Sequence, residues 1–162
     1  MSDAEAILAR LPHHRNVLER NLQVLLRMAD GMDDAAADHA PIEGGSTLRW
    51  LLGHLLAYRD QMLRRLGGEC VWDEETAAPF KRGSQATGGP PLVDLVAALQ
   101  AQAPRLAAAF DGADAAALAE PSTRASLGTL GAELEFGVWH DTYHIGQAVL
   151  YRRAAGLDSP IG

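Results

Sequence analysis

Apolar side chains recur at intervals of three and four residues along much of this chain, and this spacing constrains the fold more than any other feature of the sequence. Such intervals place the apolar side chains on one face of an α-helix, because each helical residue advances by about 100°. Segments that alternate apolar and polar residues are few, and β-branched residues are sparse, so little in the sequence predicts β-strands. We therefore predict an all-α fold, and the helical pattern favours a four-helix bundle with long connections.

The boundaries of the four helices follow from residues that typically begin or interrupt helices. Ser46 is expected to cap the second helix, and Ser126 or Thr129 is expected to cap the fourth. Prolines open the third helix, and Pro104 inside it is expected to kink or split it because proline lacks a backbone N–H. The predicted ranges are about 13–30, 47–66, 90–110 and 127–155.

The four helices fit a single domain over residues 1–162. The segments 31–45 and 69–89 contain Gly, Pro and small polar residues without apolar periodicity, so we predict that they are loops, with room for a short turn in the first. A loop as long as 69–89 is often functional in a compact domain, and we expect it to help form the entrance to a substrate site.

Composition and charge exclude several classes of protein. The formal net charge of −7 argues against a nucleic-acid partner, because binding to nucleic acid depends on neutralising phosphates. No apolar run reaches the roughly 18 residues that a membrane span requires. The first residues lack the pattern of a secretion signal, so a cytoplasmic protein is expected. Cys70, the only cysteine, excludes an internal disulfide and a cysteine-rich metal site, and we expect it to have no catalytic role.

Two histidines in the fourth helix point to metal chemistry. His140 and His144 are four residues apart, so on a helix they lie on one face with their Cβ atoms about 6 Å from each other. Two imidazoles in this arrangement can bind the same ion. The spacing is only moderately specific, however, because it also arises by chance on helix surfaces.

A third ligand is needed, and His54 in the middle of the second helix is the best candidate. It shares a helical stripe with Trp50 and Tyr58. We expect this stripe and the stripe of the fourth helix that carries His140 to form two walls of one pocket. A lone histidine inside a helix is more often a hydrogen-bonded core residue, and this alternative stays open. Three protein nitrogens would leave one position of the metal free, as in reactive rather than structural sites. Imidazole ligands suit zinc, nickel, copper or iron.

Other residues near these histidines are candidates for supporting roles. Gln147 follows His144 by one helical turn and could orient a ligand, or could hydrogen bond to another helix. Asp141 could accept a hydrogen bond from an imidazole of a neighbouring element, or could be exposed. The aromatic residues Trp50, Tyr58 and Tyr143 are expected to line the pocket, with a purely structural core role as the alternative.

The segments WLLGHLLAYRD at 50–60 and HDTYHIGQAVLYRRAAGL at 140–157 resemble the DinB-like superfamily. The resemblance implies a helical bundle, frequent homodimers, and a site for one divalent metal ion, zinc or nickel. It also implies that His54, His140 and His144 are the ligands. Many members have glutamate after the first histidine of the pair, where this chain has Asp141.

The resemblance also suggests a reaction class. Some members are transferases or isomerases that use low-molecular-weight bacterial thiols such as bacillithiol or mycothiol. We therefore expect a metal-dependent thiol transferase with a small-molecule substrate. A metal-dependent hydrolase, a non-catalytic metal-binding stress-response module, and a bundle with three incidental histidines are the alternatives.

Overall fold

The computed structural model describes residues 1–84 and 88–160, and within these ranges every regular element is a helix. The all-α prediction is therefore confirmed. Two 3₁₀ turns, Ala78–Phe80 and Ala125–Leu127, accompany the α-helices. The α-helices are α1 (Asp3–Leu8), α2 (Leu11–Ala29), α3 (Asp34–Ala37), α4 (Leu48–Arg65), α5 (Glu74–Ala77), α6 (Leu92–Gly112), α7 (Ala115–Ala119) and α8 (Leu130–Ala154).

The four long helices, α2, α4, α6 and α8, correspond to the four predicted ones, with small differences at their ends. Thr47, rather than the predicted Ser46, caps α4 by accepting a hydrogen bond from the Trp50 backbone N–H at 3.1 Å. Thr129 caps α8, as one of the two predicted alternatives. The helix α6 continues through Pro104, so the predicted split does not occur. Burial of its apolar face on both sides of the proline holds the helix together.

The long helices pack around a common core. Helix α2 packs against α6 and α8, and α4 packs against the same two helices. Leucines dominate the interior, and Leu25, Leu51, Leu55 and Leu99 are fully buried. This packing brings the middle of α4 against the middle of α8, where the three candidate histidines lie.

Short helices in the connections were not predicted from the sequence. Each of α3, α5 and α7 is preceded by an aspartate, and the side chains of Asp33, Asp73 and Asp114 accept a backbone N–H three residues later. The prediction of a loop over 69–89 is therefore wrong for the segment that contains α5 and the 3₁₀ turn that follows it. Residues 85–87 of that predicted loop lie outside the described residues.

The 3₁₀ turn at Ala78–Phe80 packs directly on α4 and positions part of the candidate site. A Cβ atom added at Gly53 would lie 2.3 Å from the Phe80 ring, so only glycine allows this close approach. Phe80 is almost fully buried there. The contact holds the turn beside the next residue of α4, which is His54. Across residues 1–84 and 88–160, none of the helices combines the length and the apolar character that crossing a bilayer would require.

Candidate metal centre

The structure brings together three histidines from two helices that are far apart in sequence. His54 of α4 and His140 and His144 of α8 form this histidine cluster, and their ligand atoms lie within 4.8 Å of one another. The Nε2 atom of His140 lies 3.2 Å from Nε2 of His54 and 3.2 Å from Nε2 of His144. Two nitrogens bound tetrahedrally to zinc at 2.0–2.1 Å would be about 3.4 Å apart, so the spacing suits a single small cation.

Hydrogen bonds at the far side of two rings fix their orientation and their proton. His54 donates from Nδ1 to the Phe80 carbonyl oxygen at 2.7 Å, and His144 donates from Nδ1 to Oε1 of Gln147 at 2.6 Å. Because these oxygens only accept, the proton of each neutral ring resides on Nδ1. Each Nε2 therefore presents a lone pair to the centre of the cluster. Such a partner behind a histidine ring is usual for histidines that bind metal.

His140 completes the cluster but lacks a comparable partner. Its Nδ1 is buried and has no hydrogen-bond partner among the described residues. Its Nε2 faces the lone pairs of both His54 and His144, and a single N–H could donate to only one of them. A cation at the centre would satisfy all three Nε2 atoms at once. The donor set is therefore compatible with a divalent metal ion.

The surroundings favour the neutral form of the three imidazoles. Burial, together with the neighbouring His144 and His54, lowers the pKa of His140 to about 4. Burial also lowers the pKa of His54 and of His144 below the ordinary value of 6.5. Neutral imidazole is the form that binds metal, so the cluster is ready to accept a cation near pH 7 without first losing protons.

Aromatic rings enclose the histidine cluster. Trp50 stacks on His54 with ring centres 4.7 Å apart, and Tyr58 stacks on His140 at 4.3 Å. Tyr143 meets His144 edge-on at 5.1 Å and is 55% exposed, whereas Tyr58 is buried. All three predicted aromatic residues therefore lie against the cluster. They limit how far the imidazoles can rotate and leave it accessible from the side of Tyr143.

Of the two candidates for supporting roles, Gln147 lies beside the histidine cluster, and Asp141 forms a separate ion pair. Gln147 contacts His144 directly, as described above, and does not use that oxygen to join two helices. Asp141 takes neither predicted position: it is 1% exposed and binds Arg59 at 2.7 Å. Asn21 of α2 donates a further hydrogen bond to Asp141 at 2.8 Å. Asp141 points away from the imidazoles because α8 turns by about 100° between residues 140 and 141.

Sequence reasoning missed three residues around the cluster. The Phe80 carbonyl is a backbone group, so its residue type carries no signal of its contact with His54. Ser84 accepts a hydrogen bond from the Trp50 ring N–H at 3.2 Å. Arg124, just before the Ala125–Leu127 turn, places its guanidinium over the Tyr58 ring.

Comparison with known proteins agrees with the geometry. A family model for the DinB superfamily matches residues 17–148, which contain all three histidines of the cluster and Gln147. A search of curated proteins found no match. The family match covers most of the chain, including the two helices that carry the cluster.

Proposed function

Because the chain belongs to the DinB superfamily, we propose that His54, His140 and His144 bind one divalent metal ion, zinc or nickel. We further propose that the protein is a metal-dependent transferase that moves a low-molecular-weight thiol onto a small electrophile. The observation that carries the proposal is the convergence of three Nε2 atoms, with two of the rings fixed from behind.

The ligand number supports a reactive site. Three protein nitrogens leave a position for an exogenous group in a tetrahedral centre. When bound, the ion would supply the positive charge that keeps a thiol deprotonated. His140 is partly exposed, and Tyr143 beside the cluster is largely exposed, so a small molecule can approach from that side.

The residues of this chain hold and shield the site. Phe80 and Gln147 keep the two Nδ1 protons outward, so that His54 and His144 keep their lone pairs directed at the centre. Trp50 and Tyr58 cover the imidazole faces and exclude water from them. In the proposed reaction the thiol sulfur forms a bond to an electrophilic carbon. The leaving group departs with the bonding electron pair, and the thiol proton passes to water.

The two buried acids of α8, Asp141 and Glu133, favour thiol transfer over hydrolysis. A hydrolase commonly needs a general base to activate water. Asp141 is held by Arg59 and Asn21, and Glu133 accepts hydrogen bonds from Ser122 and Thr123. Neither carboxylate is free to take a proton at the histidine cluster. A thiol that a bound cation would hold deprotonated would need no such base.

Metal analysis and turnover assays test the two parts of the proposal separately. Protein purified without a histidine tag should bind one equivalent of zinc or nickel. His144→Ala should lose that binding, and His39→Ala, which removes an exposed histidine, should retain it. The metal-loaded protein should then transfer thiols from a panel that includes bacillithiol and mycothiol. Binding without turnover on any electrophile would indicate a non-catalytic metal-binding module, and no binding would contradict the metal site itself.

A further inference from the structure

The guanidinium of Arg124 lies one aromatic ring away from the histidine cluster. Its central carbon is 5.3 Å from the centre of the Tyr58 ring and 5.0 Å from that of Phe136. Tyr58 in turn stacks on His140 at 4.3 Å. The guanidinium therefore lies within about 10 Å of the His140 ring, on the same aromatic surface that borders the cluster.

Within the part of the chain that the structure describes, the guanidinium of Arg124 forms no ion pair with a carboxylate and no hydrogen bond to a carbonyl oxygen. Other arginines of the protein differ in this respect, since Arg59 binds Asp141 and Arg49 binds Asp34 and Asp38. Within the described residues, Arg124 forms hydrogen bonds only through its backbone, whose N–H donates to the Ser122 hydroxyl and whose carbonyl accepts from the Leu127 N–H. A partly buried arginine with all five side-chain donors unused is well suited to a planar anion such as a carboxylate.

The backbone beneath Arg124 is held firmly, so its position does not depend on a flexible loop. Glu133 of α8 accepts hydrogen bonds from the Ser122 hydroxyl at 2.8 Å, the Thr123 backbone N–H at 3.0 Å and the Thr123 hydroxyl at 2.9 Å. The Arg124 backbone N–H donates to Ser122 at 2.9 Å. Glu133 forms its ion pair with Arg65, at 3.8 Å, and within the described residues it forms none with Arg124.

We propose that Arg124 binds a carboxylate of the thiol substrate while the thiol sulfur lies at the histidine cluster. The inference rests on the proposed function and narrows it to thiols that carry an anionic group. The separation between the guanidinium and His140 is one that a short thiol acid spans with a contact at each end. The partly buried ring of Phe136, which lies 5.0 Å from the guanidinium and 6.1 Å from the His140 ring, contacts the carbon chain of the thiol.

Two thiols that differ only in charge test the proposal. The probes are 3-mercaptopropionate and 3-mercapto-1-propanol, titrated calorimetrically into the zinc-loaded protein. We expect the carboxylate thiol to bind about tenfold more tightly or better, since a hydrogen bond to a charged group contributes more than a neutral one. Arg124→Gln should abolish this preference without changing zinc affinity. Arg124→Lys should retain part of it, and Arg20→Gln, which removes an exposed arginine, should retain all of it.

An NMR measurement on metal-free protein keeps this test separate from the metal proposal. The Nε–Hε resonance of Arg124, assigned by its loss in Arg124→Gln, should shift with 3-mercaptopropionate and not with 3-mercapto-1-propanol. If zinc does not bind but this resonance shifts, the metal proposal fails and the carboxylate site stands. Equal shifts with both thiols, no shift with either, or an unchanged preference in Arg124→Gln would overturn the role of Arg124.

Discussion

His140 and Asp141 are neighbours in α8, yet they belong to two polar centres of opposite character. Asp141 forms a salt-bridge centre with Arg59 and Asn21, in which opposite charges meet and Arg59 also donates to the Leu18 carbonyl. His140 belongs to the histidine cluster, where three groups of the same kind converge and one buried nitrogen has no partner. The polar side chains of the first centre are hydrogen bonded to one another, whereas the second leaves the Nδ1 atom of His140 without a partner among the described residues.

This difference separates a structural from a functional use of buried polar groups. A buried group without a partner destabilises the fold, and a bound ion is one way to compensate for that cost. The salt-bridge centre needs nothing further. The two centres should therefore respond to mutation in opposite ways, one through the stability of the metal-free protein and the other through its affinity for metal.

The largest effect on stability should come from breaking the salt-bridge centre. Asp141→Ala leaves the guanidinium of Arg59 buried without its carboxylate, and we expect the free energy of unfolding to fall by about 3–5 kcal/mol. Urea denaturation of the metal-free protein measures this. The double variant Arg59→Met with Asp141→Leu is the control, because it removes both charges and should recover most of the loss. A loss below about 1 kcal/mol in Asp141→Ala would contradict the structural role of this centre.

Substitution in the histidine cluster should have the opposite profile. His144→Ala removes a proposed ligand, and we expect zinc affinity to fall by at least about 100-fold, equivalent to about 2.7 kcal/mol. The free energy of unfolding of the metal-free protein should change by only about 1 kcal/mol, since the hydrogen bond lost is the one to Gln147, whose side chain is partly exposed. Chelator competition measures the affinity, and denaturation measures the stability. If His144→Ala destabilises the metal-free protein as much as Asp141→Ala does, the contrast between the two centres fails.

Gln147 should affect metal affinity less than the histidine that it orients. Gln147→Ala removes the acceptor of the His144 Nδ1 proton, and we expect zinc affinity to fall by about 10- to 100-fold. Gln147→Glu retains an acceptor oxygen and should bind zinc as well as the original chain or better. Chelator competition with the same probe used for His144→Ala places both variants on one scale. Equal affinities in Gln147→Ala and the original chain would show that this hydrogen bond does not organise the site.

Features that depend on periodicity within one helix could be predicted from the sequence. Contacts that depend on packing between helices and loops could be predicted less well. The four long helices and the proximity of His140 to His144 follow from the helical repeat. The choice of His54 needed its mid-helix position and the family resemblance. Asp141 shows the limit, since the identity of its partner depends on where Arg59 lies across the helix interface. Phe80 and Arg124 lie in connections whose course no local spacing determines.

The smallest expected effect is a pH dependence that arises from the histidine cluster alone. The pKa of His140 is about 4 in the folded protein, against 6.5 as its ordinary value, so the unfolded chain takes up the proton first as the pH falls. The stability of the metal-free protein should therefore decrease between pH 6.5 and pH 4. Because His140 is partly exposed, we expect its share to be only about 1–2 kcal/mol.

A variant that cannot titrate isolates this contribution from the acids that also titrate at low pH. His140→Gln lacks the ionisable group and also removes the charge that His54 and His144 would otherwise face. Its free energy of unfolding should fall less steeply than that of the original chain as the pH decreases from 6.5 to 4. The Arg59–Asp141 pair is present in both proteins, so its contribution cancels in the difference. Parallel curves for the two proteins would mean that protonation of His140 does not lower the free energy of unfolding. The contrast between the two centres would then depend on metal affinity alone.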